Sequence, residues 1–327
     1  MKVLHMSPFK DENELSLKRK TDDSIEIIEI TPEEKEKAIE RAGEFDVVIG
    51  ARIPREFLEK AVNLDYFIIP FVGIPPQDKE TLPDFPNITV LNSHFNYWMV
   101  AEHALALLLT SVKNIIPIHQ KMKKGDWTPR YEHQWSRSLR DKNLLLLGFG
   151  EIGEEIARLL KPFKMNIKAV KKSPGESDLV AHMGTNNELH DLLPEADYII
   201  CTLPETESTK GYLGEEEFEL MKVGVHIVNV GRGPVIDEEA LYNSLESGKV
   251  GGAALDTWWI YPPDEESRDH TFPSNYPLDE FENVIFSPHR STHIKEREKY
   301  RIEDLADTLN KLVKGEEVNV VDIKEGY

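Results

Sequence analysis

The first hundred residues alternate short apolar runs with amphipathic segments. Four runs have the length and composition of β-strands: residues 24–30, 45–49, 66–69 and 88–91. After the first run, Thr31 can cap a helix, Pro32 suits its first position and Glu34 suits its third, so a helix is predicted to about Arg41. Strands that alternate with helices indicate a parallel α/β sheet.

The pattern then changes and restarts. Residues 97–122 predict one long helix, and a polar, irregular segment follows at 125–140. The run 143–147, an asparagine followed by four leucines, suits a central parallel strand, and further strand–helix units extend to about residue 286. A charged amphipathic helix is predicted over residues 295–314. With 327 residues, the chain favours two domains.

Composition and charge exclude several classes of function. The formal net charge of −20 disfavours a nucleic-acid partner or an anionic membrane surface. No apolar run approaches the roughly 20 residues of a membrane span, and the first residues lack the apolar core of a secretory signal. Cys201 is the only cysteine and follows an apolar run, so we expect a buried thiol and a cytoplasmic protein.

The histidines do not predict a metal site. His289 and His293 are four residues apart, but they lack the glutamate of a zinc-protease helix and lie beside a proline. We therefore predict no bound metal.

A glycine-rich turn predicts a dinucleotide site. Gly148, Gly150 and Gly153 follow the apolar run 143–147 and open a helix that ends near Leu160. In such a turn the first glycine allows the tight bend, the second lets the backbone approach a pyrophosphate, and the third lets helix pack on strand. The helix start, with Glu151 and Ile152, offers unpaired N–H groups and a positive dipole end.

Two lysines bear on the choice of cofactor. The next predicted strand, residues 165–170, should end at the adenosine ribose, where an NAD-preferring site usually places Asp or Glu. This chain has Lys171 and Lys172 there. An ammonium group cannot accept a bond from the ribose 2′-hydroxyl but pairs with a 2′-phosphate, which favours NADP over NAD. The alternative is two solvated lysines at a strand end.

Three later apolar runs deliver polar residues at their ends. Arg232 lies between Gly231 and Gly233, Asp256 ends the run 252–255, and His289 follows Pro288 after the run 284–286. A guanidinium can hold a carboxylate by two parallel hydrogen bonds, and a histidine suits proton transfer near neutrality. The carboxyl ends of parallel strands are where α/β active sites lie.

Together these segments resemble the D-isomer-specific 2-hydroxyacid dehydrogenase family over essentially the whole chain. Residues 92–96 leading into 100–108 are similar to that family's interdomain helix and its lead-in, and 203–211 are similar to its loop beside the cofactor. The resemblance implies two Rossmann-like, doubly wound parallel-sheet domains with an interdomain cleft. Residues 100–291 would bind the dinucleotide, and 1–99 with 292–327 would form the substrate domain.

The resemblance also implies an activity: hydride transfer between NAD(P)H and a small 2-oxo or 2-hydroxy acid such as glyoxylate or hydroxypyruvate, in a homodimer. Arg232 would bind the substrate carboxylate, and His289 would be the general acid and contact the cofactor. Further implied substrate contacts are Val72, Gly73 and Asn96. Further implied cofactor contacts are Leu203, Pro204, Thr209, Val230, Gly231 and Asp256. Glu102 and His103, early in the long helix, are better explained by packing.

The chain departs from the family pattern at Tyr261. The family usually has a glutamate there, paired with the catalytic histidine. Tyr261 can hydrogen-bond the ring of His289 as part of the catalytic group, but it brings no negative charge, so His289 should titrate lower than in carboxylate-paired relatives. Glu265 and Glu266 are possible substitutes. A nucleotide sensor without turnover and, further off, a formate dehydrogenase-like enzyme remain as alternatives.

Overall fold

The computed structural model describes residues 1–6, 17–30, 34–132, 136–173 and 175–323. They form two compact units. Unit 1 comprises Met1–Asn96 with His293–Tyr327, and unit 2 comprises Tyr97–Thr292.

Unit 1 is built on a five-stranded sheet of order β2-β1-β3-β4-β5, in which every strand pairing is parallel. Its strands are β1 (Lys2–His5), β2 (Glu26–Glu29), β3 (Val47–Ile49), β4 (Tyr66–Ile69) and β5 (Thr89–Asn92). Its helices are α1 (Lys35–Glu40), α2 (Arg55–Lys60), α3 (Pro76–Thr81) and α10 (Arg297–Lys314). Alternate strand residues enter two separate cores, Val48 in one and Val47 in the other, so both faces of the sheet are covered.

Unit 2 is built on a seven-stranded sheet of order β12-β11-β10-β9-β6-β7-β8, again with parallel pairings throughout. Its strands are β6 (Asn143–Leu147), β7 (Asn166–Val170), β8 (His182–Gly184), β9 (Tyr198–Cys201), β10 (Val225–Asn229), β11 (Val250–Leu255) and β12 (Val284–Phe286). Its helices are α4 (Tyr97–Val112), α5 (Ile115–Lys123), α6 (Glu151–Leu160), α7 (Leu189–Leu192), α8 (Glu215–Leu220) and α9 (Glu238–Glu246).

The strand order of unit 2 fixes where its loops meet. The chain runs outwards from β6 to β7 and β8, then returns to β9 on the other side of β6. In sheets of this kind, ligands usually bind at the point of such a reversal, here the carboxyl ends of β6 and β9. The predicted fold class of two doubly wound parallel sheets is confirmed.

The predicted single helix over 97–122 is wrong. α4 ends at Val112, α5 starts at Ile115, and their axes are bent by 63°. Asn114 takes a left-handed conformation at φ 50°. Pro117 explains the break, because a proline deep inside one helix would lose a hydrogen bond and clash with the carbonyl of Lys113. Among the described residues no single helix is long and apolar enough to cross a membrane; α4 and α5 together are, but only as this bent pair.

Other elements differ by a few residues from the sequence pattern. β1 and β8, of four and three residues, were not predicted. The predicted cap at Thr31 lies outside the described residues, and α1 is seen from Lys35. Cys201 ends β9 as a fully buried thiol, as predicted, and burial raises its pKa to about 12.

Candidate active site

The glycine turn between β6 and α6 has three different local requirements. Gly148 has φ +93°, and a Cβ there would lie 2.6 Å from the Thr202 hydroxyl. A Cβ on Gly153 would lie 2.5 Å from the Gly148 carbonyl oxygen, which explains the close packing of α6 on the strand end. A Cβ on Gly150 would meet nothing within 4 Å. The turn is therefore closely packed at Gly148 and Gly153, whereas the space beside Gly150, at the start of α6, is open.

That open position fits a dinucleotide pyrophosphate. Gly150 is the N-cap of α6, and Glu151 and Ile152 are its first two residues. The first N–H groups of a helix have no partner within the helix and, with the helix dipole, favour a negative group. These residues would hold the phosphates of the cofactor.

Lys171 and Lys172 directly follow β7, and both side chains are exposed. The Lys171 backbone N–H donates to the Gly184 carbonyl at 3.0 Å, which ties the end of β7 to β8. The two ammonium groups thus lie at the strand end where the ribose was expected. Their contact with a 2′-phosphate stays a prediction.

Hydrogen bonds within the loop after β9 stabilise its conformation. The Thr209 hydroxyl donates to the Pro204 carbonyl at 2.6 Å and accepts the Thr206 N–H at 2.8 Å. The loop also touches the next strand end, since a Cβ on Gly231 would lie 2.4 Å from the Leu203 carbonyl oxygen. Thr209 therefore shapes the loop.

A buried asparagine holds the backbone around Arg232. Asn229, which is fully buried, accepts the Gly231 N–H at 3.0 Å and donates to the Arg232 carbonyl at 2.9 Å. The Arg232 guanidinium donates to the Gly231 carbonyl at 2.7 Å. Gly233 packs so closely on Trp258 that a Cβ there would lie 2.3 Å from its carbonyl oxygen. The backbone of Arg232 is therefore fixed by hydrogen bonds, and the residue is half-buried.

Asp256, at the end of β11, is fully buried and accepts several hydrogen bonds. The Ser287 hydroxyl donates to Oδ1 at 2.5 Å, the Arg290 N–H to Oδ1 at 3.0 Å and the Ser291 N–H to Oδ2 at 3.1 Å. His103 Nε2 lies 3.4 Å from Oδ1. Burial alone would raise the pKa of Asp256, but these donors, His103 first, lower it to about 2, so the carboxylate is ionised at neutral pH.

Tyr261 and His289 are in direct contact. The Tyr261 hydroxyl lies 2.9 Å from His289 Nδ1 and accepts the Trp258 N–H at 3.2 Å. Burial raises the pKa of Tyr261, although the Trp258 N–H and the positive charge of Arg232 oppose the rise, so the phenol is neutral near pH 7. Glu265, one of the two possible substitutes for the missing glutamate, forms an ion pair with Arg268 at 2.9 Å. The ring partner predicted for His289 at position 261 is thus present in unit 2.

The predicted substrate residues of unit 1 lie after neighbouring strands. Val72 and Gly73 follow β4, and Asn96 follows β5. The Asn92 side chain donates to the Val72 carbonyl at 2.6 Å and so joins the two segments. Asn96 Oδ1 is buried without a hydrogen-bond partner among the described residues. The role of these three residues in substrate binding stays a prediction.

Unit 2 therefore gathers the loops that carry Arg232, Asp256 and His289 on three adjacent strands, β10, β11 and β12. Sequence reasoning missed the residues that hold them, namely Asn229, Trp258, Ser287 and the contact of His103 with Asp256. Asn229 lies within the run that predicted Arg232, and its polar side chain in an apolar strand was the available signal. The His103 contact joins positions 153 residues apart and leaves no local pattern.

A cavity of about 370 Å³ lies at the opposite edge of this sheet. Its lining includes Lys121, Arg137, His226 and Asn283, none of them predicted for catalysis. Burial lowers the pKa of His226 to about 4, so its ring, bonded to the Ser111 hydroxyl at 2.8 Å, is neutral at pH 7. We assign this cavity no part in the reaction, because the strand ends that carry Arg232 and His289 lie at the other edge.

Comparison with known proteins agrees with the geometry. A family model described as "D-isomer specific 2-hydroxyacid dehydrogenase, NAD binding domain" matches residues 105–291. Hydroxypyruvate reductase from Thermotoga maritima is 33% identical over 270 residues, which cover 81% of this chain and 84% of that protein. D-3-phosphoglycerate dehydrogenase from Methanocaldococcus jannaschii is 31% identical over 312 residues, 90% of this chain.

The present chain spans 56% of the length of the Methanocaldococcus jannaschii D-3-phosphoglycerate dehydrogenase, a little over half. Among solved structures, a D-isomer specific 2-hydroxyacid dehydrogenase from Xanthobacter autotrophicus in complex with NADPH and MES has a TM-score of 0.78. The match covers 99% of each chain at 21% identity and shows a shared fold.

Proposed function

Because this chain belongs to the D-isomer-specific 2-hydroxyacid dehydrogenase family, we propose that it transfers a hydride between NAD(P)H and a small 2-oxo acid. Glyoxylate and hydroxypyruvate are the first substrates to test. One observation carries the proposal: Arg232, Asp256 and the Tyr261–His289 pair lie at the carboxyl edge of the same sheet as the open glycine turn.

Arg232 would bind the substrate. Its guanidinium can hold a carboxylate by two hydrogen bonds and place positive charge beside the 2-oxo group. Asn229 fixes the backbone on both sides of it, so little reorganisation is needed when the substrate arrives.

His289 would move the proton. When bound, the reduced cofactor supplies the hydride; the His289 imidazolium then gives its proton to the oxygen of the reduced carbonyl, and the neutral ring takes it back in oxidation. Tyr261 orients the ring through Nδ1 without adding charge. Asp256, ionised and buried at the neighbouring strand end, is suited to accept a hydrogen bond from the nicotinamide carboxamide.

The finer features of the proposal rest on fewer observations. The exposed Lys171 and Lys172 at the end of β7 favour NADPH over NADH. A cytoplasmic homodimer is part of the same proposal.

The experiment is steady-state reduction of a panel of 2-oxo acids with NADPH and NADH in parallel, for the wild type, Arg232→Ala and His289→Ala. We expect faster turnover with NADPH. Arg232→Ala should lower kcat/KM roughly 10³-fold, because two charge-assisted hydrogen bonds are lost. His289→Ala should lower kcat by roughly 10² to 10⁴, the usual contribution of general acid catalysis.

Matched controls are Arg140→Ala and His270→Ala, two exposed residues whose ion-pair partners are the neighbouring Asp141 and Asp269. Both should keep wild-type kinetics. Equal losses in the controls, or full activity in Arg232→Ala, would contradict the assignment.

A further inference from the structure

The loop that carries His289 has an unfavourable backbone. His289 has φ 51°, in the left-handed region, which is unfavourable for a residue with a side chain. Ser287, two residues earlier, is the first residue after β12. Such a conformation persists only when its surroundings hold it.

Asp256, which follows the neighbouring strand β11, stabilises this conformation through hydrogen bonds. Its carboxylate accepts hydrogen bonds from Ser287, Arg290 and Ser291, on both sides of His289. Oδ1 accepts the bonds from Ser287 and Arg290 and is approached by His103, and Oδ2 accepts the Ser291 N–H. The side chain is fully buried, where such bonds are strong and their loss is costly.

The bonds to Asp256 are themselves oriented by a second set of residues. His103, on α4, lies with Nε2 2.9 Å from the Ser287 hydroxyl, which in turn donates to Asp256 Oδ1. The Trp258 indole N–H donates to the Ser287 carbonyl at 2.7 Å. Ser287 is therefore fixed at its hydroxyl by His103 and at its carbonyl by Trp258.

We propose that Asp256 anchors the His289 loop, and that Ser287 and His103 are positioning residues that act on His289 through it. The inference rests on the proposed function for its effect on turnover. It extends the part of Asp256 beyond cofactor binding, because the same carboxylate sets where the proton-transferring ring is held.

The test uses Ser287→Ala and Ser287→Thr, since only the second keeps the hydroxyl. Ser287→Ala should lower kcat about 10-fold while the Kd for NADPH stays within about 2-fold, and Ser287→Thr should restore most of kcat. His103→Leu and His103→Gln form a second pair, in which the glutamine keeps a donor near the Nε2 position. Ser247→Ala, whose hydroxyl donates only to the Ser244 carbonyl among the described residues, is the control.

A second readout does not depend on activity. Amide hydrogen exchange should quicken at least 5-fold in a peptide spanning residues 287–292 of Ser287→Ala and Asp256→Asn, and stay unchanged in β6. If the wild type turns over no 2-oxo acid, the proposed function fails, while the exchange result still decides the anchor. Unchanged exchange in both variants, or an equal kcat loss in Ser287→Ala and Ser287→Thr, would overturn the anchor.

Discussion

Each unit contains a buried aspartate that holds a loop with a left-handed residue. In unit 2, Asp256 accepts bonds from the loop of His289, with φ 51°. In unit 1, Asp78 on α3 accepts the N–H groups of Arg52, with φ 54°, at 2.7 Å and of Ile53 at 3.3 Å. The two side chains are 0% and 2% exposed.

The pKa values of the two aspartates nevertheless shift in opposite directions. Burial raises the pKa of Asp78, and its two backbone donors do not reverse the rise. The pKa of Asp256 falls to about 2, because His103 and the Ser287 hydroxyl add to the backbone donors and together outweigh burial. The comparison teaches that the number of hydrogen-bond donors decides whether a buried carboxylate is held as an anion.

The largest expected effect comes from replacing each aspartate by asparagine. Asp256→Asn turns one acceptor into a donor among groups that all donate, so we expect a loss of about 3 kcal/mol in the free energy of unfolding at pH 7. Asp78→Asn should cost less than about 1 kcal/mol, because its contact with Ile53 is already long. Chemical denaturation of both variants measures the difference.

The same variants give opposite pH dependence. The contribution of Asp256 is complete above the ordinary pKa of 3.8 and is lost as the pH falls towards 2, so the advantage of wild type over Asp256→Asn should shrink by about 2 kcal/mol. The raised pKa of Asp78 acts in reverse: its protonation stabilises the fold, and that gain disappears as the pH rises through the raised value. Parallel pH profiles for the two variants would break the comparison.

Substitutions in the glycine turn between β6 and α6 are expected to have effects of intermediate size on stability and on NADPH binding. Gly150→Ala should leave the melting temperature unchanged and weaken NADPH binding at least 10-fold, because the added Cβ projects into the open position where the phosphates are expected. Gly153→Ala should lower the melting temperature instead, since its Cβ would lie 2.5 Å from a backbone carbonyl. Titration calorimetry and thermal melts separate the two. Equal effects of both substitutions on stability would count against the open position.

The smallest effect concerns the ring partner of His289. Tyr261→Glu places a carboxylate beside Nδ1, which favours the imidazolium and raises its pKa. Reduction needs the protonated ring, so the decline in kcat/KM at high pH should move upwards by about one pH unit. Tyr261→Phe removes the hydroxyl without adding charge and serves as the control. A profile that is the same in wild type and Tyr261→Glu would show that Tyr261 does not set the proton affinity of His289.

The sequence predicted the parts of the fold that local pattern determines. The leucine-rich run 143–147 is β6, and 66–69 is β4, because both strands are buried on two faces. β8 was missed because its three residues include an exposed histidine and a glycine. The break between α4 and α5 was missed because apolar periodicity continues past Asn114, and only Pro117 marks it.

The candidate site divides in the same way. Arg232, Asp256 and His289 could be placed at strand ends, since each follows an apolar run and adjacent parallel strands end at one edge. The contacts of His103 with Asp256 and Ser287 could not, because they depend on how α4 packs against the sheet. The bond from Ser287 to Asp256 joins the ends of β12 and β11 and leaves no local pattern either. The positions of these conspicuous side chains at strand ends were therefore predictable, whereas the residues that hold them in place were not.

The most direct test of the central claim is the loss of reduced-nicotinamide absorbance when the wild-type protein meets NADPH and a panel of 2-oxo acids. The account predicts turnover of at least one acid, glyoxylate or hydroxypyruvate among the first, at a rate that depends on both Arg232 and His289. Tight NADPH binding with no turnover of any acid would contradict it and would favour a nucleotide sensor built on the same fold.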